Sequence, residues 1–479
     1  MYRIEPMRRE RTHLMTLANR IKAFFGAQDM TVGKPMSCIL KFSIPLLIGN
    51  LAQQLYNTVD SIVVGQYIGD VALAAVGTAG PILNLLLVLF MGISTGASIL
   101  TAQFFGARDR ENLSKVVGST IFLVFASGLL MTVVGYFASP FLIGLVTPPA
   151  DVAEGAIIYL QIIFIGILGG GMYNILSGVL RGMGDSMNPL VYLIIACLLN
   201  IVLDILFVAQ FNMGVAGVAW ATIIAQGISG ILCLIRLCRM KDVIDVNRHT
   251  LTPDRKLVGK LTALGLPAGI TQAIFSMATI VVQGLTNSLG TAMIAANVAI
   301  MRVDGFAMMP NFTFGTAATT YIGQNIGAKQ KERIKRGTID MLKLALSVST
   351  VLVLGILLFG HQLINMFSTT PEVIELGIRG LRWLALGYIC FSVTQVLQGV
   401  MRGAGDTMVP MWISIITTVI LRMPLAYLWA GLSKSAAWPN GHPDAIFGSL
   451  LISWVIGMVL SVIAYRIGLW RKRLPEELR

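Results

Sequence analysis

Charge is scarce in this 479-residue chain: only 12% of its residues are Asp, Glu, Lys or Arg, about half the share of an ordinary soluble domain. That scarcity excludes a soluble enzyme and a disordered chain. Cysteine is also rare. The five (Cys38, Cys197, Cys233, Cys238, Cys390) are odd in number, form no Cys-x-x-Cys and lie in or beside apolar runs. They read as small apolar fillers, which excludes a disulfide scaffold. The four histidines (13, 249, 361, 442) fall outside the apolar runs or at their ends, so no buried structural metal cluster is expected. No Gly-x-x-x-x-Gly-Lys-Ser/Thr occurs, which excludes a self-contained ATP motor. No Ser/His/Asp set lies at membrane depth, so the chain is expected to be no enzyme and to need no cofactor. A secretion signal is missing too: the first 35 residues are polar, without a short apolar core and cleavage site. Insertion should then begin with the first apolar helix.

What is abundant is apolar surface. Hydrophobic residues make up 55% of the chain and mean hydropathy is +0.77. Residues 261–301 contain no acid or base at all. A bilayer core takes about 20 apolar residues per helix. The runs between polar breaks predict twelve transmembrane helices, at 38–64, 75–102, 115–138, 157–180, 188–208, 214–238, 261–287, 293–323, 338–361, 379–401, 408–430 and 445–468.

The net charge of +13 would suit nucleic acid, but its distribution suits a membrane. In a twelve-helix chain, 31 of the 36 basic residues fall on one side and only Arg379, Arg382 and Lys434 on the other. The positive-inside rule then predicts cytoplasmic termini in an inner membrane. Leu14, Leu17, Ala18, Ile21, Phe24 and Phe25 have helical spacing near basic residues, consistent with an interfacial amphipathic helix.

The chain repeats itself. Arg181-Gly-Met-Gly-Asp-Ser-Met-Asn-Pro189 matches Arg402-Gly-Ala-Gly-Asp-Thr-Met-Val-Pro410, 221 residues later. The same offset aligns Gln103-Phe-Phe-Gly106-Ala-Arg with Gln324-Asn-Ile-Gly327-Ala-Lys, and one residue more aligns Pro45 with Pro267. The repeats lie six helices apart, so both halves have one orientation. The expected fold is all-α: two six-helix lobes related by a pseudo-two-fold axis along the membrane normal. The expected parts are an N-terminal segment 1–37, an N-lobe 38–238, a linker 239–258, a C-lobe 259–468 and a tail 469–479. Two lobes without a motor suggest a secondary transporter, an inference from architecture.

Three acids sit inside predicted spans: Asp60, Asp204 and Asp304. A carboxylate at that depth costs roughly 2.5–3.5 kcal/mol, so each is a functional candidate. Asn200 is one helical turn before Asp204, and Gln53, Tyr56 (or Asn57) and Asp60 share a face of helix 1. Thr222 lies within helix 6. If these helices meet, the carboxylates can share a proton, or the oxygens can hold Na⁺ as hard ligands. The alternative is a structural bond within the bundle. Arg302 and Asp304 are two apart and cannot face each other on a helix. Arg422 is a candidate partner for Asp304 in a C-lobe ion pair. Pro45 and Pro267 each remove a backbone bond and mark helix bends.

The Gln54-Leu-Tyr-Asn-Thr-Val-Asp60 stretch, the duplicated Arg-Gly-x-Gly-Asp loops and Tyr321-Ile-Gly-Gln-Asn-Ile-Gly-Ala328 resemble the multidrug and toxin extrusion (MATE) family over residues 34–468. Its prokaryotic DNA-damage-inducible branch is the most similar. The resemblance implies export of cationic or amphipathic compounds in exchange for H⁺ or Na⁺. It assigns ion coupling to Asp60, Asn200, Asp204 and Thr222. It places Gln53, Tyr56 and Asn174 in the substrate cavity and a helix bend at Pro45. Another branch carries a Glu on helix 7, which residues 261–301 lack. The expected partners are small molecules and the lipid bilayer, with no nucleic acid, and the expected state is a monomer. Competing readings are a lipid-linked oligosaccharide flippase of related fold and a membrane receptor or channel.

Overall fold

The computed structural model describes residues 27–479 except 147, 148, 246, 248, 249, 251, 437, 475 and 479, and excludes the side chains of 57, 59–62, 70, 73, 85, 86, 151 and 469. The amphipathic segment 14–25 thus lies outside the described residues. Twelve helices are long and apolar enough to cross a membrane. They are α1 Pro35–Tyr67, α2 Asp70–Gly106, α3 Arg110–Val146, α4 Ala150–Gly182, α5 Met187–Gln210, α6 Gly214–Arg239, α7 Arg255–Ser288, α8 Thr291–Gly327, α9 Lys331–Asn365, α10 Pro371–Gly403, α11 Met408–Leu432 and α12 Asp444–Ile467. Most run several residues past the predicted spans, because the backbone hydrogen bonds of a helix do not end where its apolar run does. Phe137, Leu358 and Phe359 are exposed on α3 and α9, an outer face suited to hydrocarbon rather than water.

The duplication is visible in the packing. In the first half α2 packs on α3 and α4, α4 on α6, α5 on α6 and α1 on α5. Adding six to each number gives the contacts of the second half. It is visible in the backbone too. Gly184 and Gly405 turn at φ of 82° and 86°, and Arg108 and Lys329 take left-handed φ of 56° and 57°. Two non-glycine residues in that region at one offset indicate one ancestral turn retained twice.

The lobes meet through α2 against α7 and α8, and through α1 against α8. Gly106 and Gly327, equivalent residues of the two lobes, face each other's helices: a Cβ on either would overlap the other lobe's Gln324 or Gln103 carbonyl. Residues 28–33 strap this seam. Gln28 donates to the Gly184 carbonyl at 3.2 Å, while Arg333 donates to the Met30 carbonyl at 2.8 Å. The tail is not merely a polar overhang: Trp470, Leu474 and Leu478 are buried in a cluster with Met30, Phe42 and Tyr321.

Candidate functional site

In the first lobe α5 lies between α1 and α6. Asn200 and Asp204, one turn apart on α5, are fully buried, and Thr222 on α6 is 8% exposed. These three expected residues therefore occupy the interior of the lobe. Both polar atoms of the Asn200 amide and the Thr222 hydroxyl have no hydrogen-bond partner among the described residues. Each such buried group costs about 1–3 kcal/mol. Tolerating several in one lobe is characteristic of a site that meets its partner when occupied. Hard oxygen donors beside a carboxylate suit a proton or Na⁺ as cargo.

Backbone geometry sharpens the picture. Immediately after Asp204, α5 widens into a π-helical segment, Ile205–Gln210. Such segments re-aim side chains and recur at functional sites. No feature of the sequence marked it. Gln53 and Tyr56 are half-buried on α1. Asp60 follows one turn later on the same helix, but its side chain lies outside the described residues. Pro45 is buried within α1. Asn174 behaves differently. Its side-chain amide donates to the Gly170 carbonyl of its own helix at 2.9 Å, and its backbone carbonyl accepts from the Ser94 hydroxyl of α2 at 2.7 Å. It joins α4 to α2 as well as standing near the lobe interior.

The second lobe departs from expectation. Arg302 is exposed, on a different face of α8 from Asp304. Asp304 and Arg422 interact at longer range, with Tyr388 as a further neighbour of Asp304, yet they make no salt bridge within 4.0 Å. Of the possible second-lobe ion pair, Asp304 and Arg422 thus keep an interaction at longer range, while Arg302 stands apart from Asp304, as its two-residue spacing implies. Two-residue spacing sends Arg302 outward, and Arg422 ends a second π segment, Ile415–Arg422, that directs it into a cleft of its own lobe. Tyr388 and the cleft residues Gln395 and Gln398 were missed in the sequence. Their signal was the polar run Thr394-Gln395-x-x-Gln398 inside an apolar helix.

Comparison with known proteins now adds weight to the duplicated, two-lobed geometry. The MatE family profile matches residues 45–206 and again 267–428.

The chain belongs to the MatE family.

The two matches fall one in each lobe and start at the equivalent prolines Pro45 and Pro267. Among relatives, the probable multidrug resistance protein YpnP of Bacillus subtilis is 30% identical over 93% of this chain and 98% of its own. The multidrug resistance protein PmpM of Pseudomonas aeruginosa is 25% identical over 86% and 87%. A solved outward-facing multidrug resistance MATE family transporter of the MOP superfamily has a TM-score of 0.85 at 24% identity, covering 93% of this chain and 99% of that one. At that identity the likeness shows the fold. As a MatE member this chain is a multi-pass membrane transporter and not an enzyme.

Proposed function

We propose that this MatE protein is an alternating-access antiporter of a bacterial inner membrane that exports organic cations or amphipathic drugs in exchange for H⁺ or Na⁺. The observation that carries the coupling site is the burial of Asn200, Asp204 and Thr222 on the facing helices α5 and α6. Asp60 on α1 completes that site, and Gln53, Tyr56 and Asn174 line the cavity. Ion binding there favours the conformer that releases drug outside, through a bend of α1 at Pro45. The names of YpnP and PmpM support drug export over flipping of lipid-linked sugars or a receptor role.

The rest of the assignment follows from charge and repeat. Both termini and the linker 239–258 are cytoplasmic. The N-lobe is 38–238, the C-lobe 259–468, and the protomer works as a monomer. The set Asp60, Asn200, Asp204 and Thr222, with no Glu in residues 261–301, favours the DNA-damage-inducible branch.

Efflux of a cationic dye from vesicles under separately imposed pH and Na⁺ gradients tests this reading. One gradient should drive efflux, and Asp60→Asn and Asp204→Asn should each abolish it. The double variant should be no worse than the worse single one, because a shared site cannot be broken twice. Efflux indifferent to both gradients, or normal in both well-folded variants, overturns the assignment.

A further inference from the structure

The chain enters its first membrane helix by way of the opposite lobe. Ile39 and Phe42, near the start of α1, are fully buried in a cluster with Phe314, Tyr321 and Met341 of the second lobe. Leu261 of α7 is equivalent to Ile39 at the offset of 222, and it is buried in the cluster of the first lobe. The starts of the two leading helices are thus exchanged. The segments that precede them differ. The linker before α7 bonds to the first lobe: the Asp245 and Asp254 amides donate to the Ser114 and Ser119 hydroxyls at 2.9 and 3.2 Å. The strap before α1 bonds to both lobes.

On the first-lobe side the Gln28 amide donates to the Gly184 carbonyl at 3.2 Å. Asp29 also faces Arg108 at 3.7 Å, an exposed pair that adds little. On the second-lobe side Arg333 does the holding. Its guanidinium donates to the Met30 carbonyl at 2.8 Å, to the Gly33 carbonyl and to the Asn325 side-chain oxygen at 3.0 Å. Asn325 in turn donates to the Met30 carbonyl at 3.3 Å. Met30 is fully buried, although Asp29, Val32 and Gly33 beside it are exposed. A rigid guanidinium fork with three acceptors fixes a stretch of backbone as the point charge of a lysine cannot. At the offset of 221 the first lobe has Asn112 in place of Arg333. Asn112 turns back to Asp109 at 2.7 Å instead. The arrangement is one-sided, so it is not a by-product of the duplication.

Alternating access requires the lobes to part at this basic face, and a segment bonded to both lobes cannot then keep both sets of bonds. The Gln28 end is a single neutral bond, whereas the Arg333 end is held by charge-assisted ones, which are stronger. We propose that residues 28–33 are a latch that restrains opening of the basic face, with Arg333 as the positioning residue that docks it on the second lobe. When the lobes part, the latch lets go of Gly184 and travels with the second lobe. The inference rests on the alternating-access reading for its physiological meaning, but opening is measurable without transport.

The test is maleimide labelling of two single-cysteine reporters in the full-length protein in nanodiscs, in a background lacking the five native cysteines. Ala102→Cys reports parting of the lobes, since Ala102 is fully buried beside Gly323. Met30→Cys reports lifting of the strap from the second lobe. Gln28→Pro deletes the donor to Gly184 at a part-exposed position. It should speed labelling of Ala102→Cys at least about 3-fold, the scale of one neutral bond, and leave Met30→Cys protected. Arg333→Ala should speed both reporters at least about 10-fold, and Arg333→Lys should speed both by less. Should Arg333→Ala fail to fold, Gln28→Pro and Arg333→Lys still decide the matter. Unchanged Ala102→Cys labelling in Gln28→Pro, or in an Arg333→Ala protein whose Met30→Cys has become reactive, overturns the latch. Exposure of Met30→Cys in Gln28→Pro would refute the docking role of Arg333. Dye efflux indifferent to both gradients, with the labelling changes as expected, would instead defeat the antiport reading and leave the latch standing.

Discussion

Gln103 and Gln324 are equivalent residues of the two lobes, and each donates its side-chain amide to a glycine carbonyl across the seam. Gln103 Nε2 reaches the Gly403 carbonyl at 3.0 Å, and Gln324 Nε2 reaches the Gly182 carbonyl at 2.9 Å. Those glycines close α10 and α4, just before the duplicated turns. The bonds therefore form one symmetric clasp holding the lobes together at the basic face. The clasp is unequal in one respect. Gln324 Oε1 also accepts from the Met30 backbone at 2.9 Å, so it carries the strap as well.

Removing the clasp should loosen that face. Gln324→Leu strands the Gly182 carbonyl and the Met30 amide, whereas Gln103→Leu strands one carbonyl. At about 1–1.5 kcal/mol per bond, opening should rise roughly 10-fold or more in the first and less in the second. The readout is maleimide labelling of Ala102→Cys, a fully buried position beside Gly323, in a background lacking the five native cysteines. Unchanged labelling in Gln324→Leu would remove the clasp from the gating account.

Gly106→Ala and Gly327→Ala should act as wedges. Each added methyl collides with opposing backbone rather than with a side chain that can turn away. Both variants should insert and fold, label rapidly at Ala102→Cys and export poorly. A closed, poorly labelled Gly106→Ala protein would contradict the close approach of α2 and α8.

The unsatisfied polar groups of the first lobe make an unusual stability prediction. Thr222→Val and Asn200→Leu replace a buried group that has no hydrogen-bond partner among the described residues with an apolar one of similar size. Thermal stability in detergent should stay level or rise, since about 1–3 kcal/mol of stranded polarity disappears. Gradient-driven efflux should fall at least about 10-fold, one broken contact of about 1.4 kcal/mol or more. A large loss of stability with normal efflux would mark these residues as structural.

The two copies of the Arg-Gly-x-Gly-Asp turn should respond differently to the same change. Asp185 is fully buried and paired with Arg236 at 3.2 Å, and it also accepts from the Asn188 backbone at 3.1 Å. Asp406 accepts from the Val409 backbone at 3.1 Å. Asp185→Ala leaves Arg236 without that partner and should cost about 3 kcal/mol. Asp406→Ala loses a capping bond and should cost about 1 kcal/mol. Comparative melting of the two variants checks this, and equal losses would refute the distinction.

The basic asymmetry predicts which way the protein faces. A reporter fused after Arg479, or inserted near Asn247 in the linker, should lie in the cytoplasm. An external signal from either would invert the topology and with it the direction of drug release.

The number of long apolar helices, the duplication and the placement of acids within those helices were all legible in the sequence. They depend on local quantities: the length of apolar runs, the spacing of residues on one helix and the recurrence of short motifs. Asn200 and Asp204 could be paired because four residues make one turn. What set them against the helix that carries Thr222 was the packing of α5 on α6, a contact between segments that no local pattern specifies. Tertiary structure likewise left Asp304 and Arg422 interacting without a direct salt bridge, and widened α11 into the π segment that ends at Arg422. That widening depends on how the helix packs against its neighbours, and its residues Ile415–Arg422 look like any other apolar turn. The clasp of Gln103 and Gln324 shows both levels at once. The repeat marked the two residues as equivalents, but only the apposition of two lobes could turn equivalents into partners.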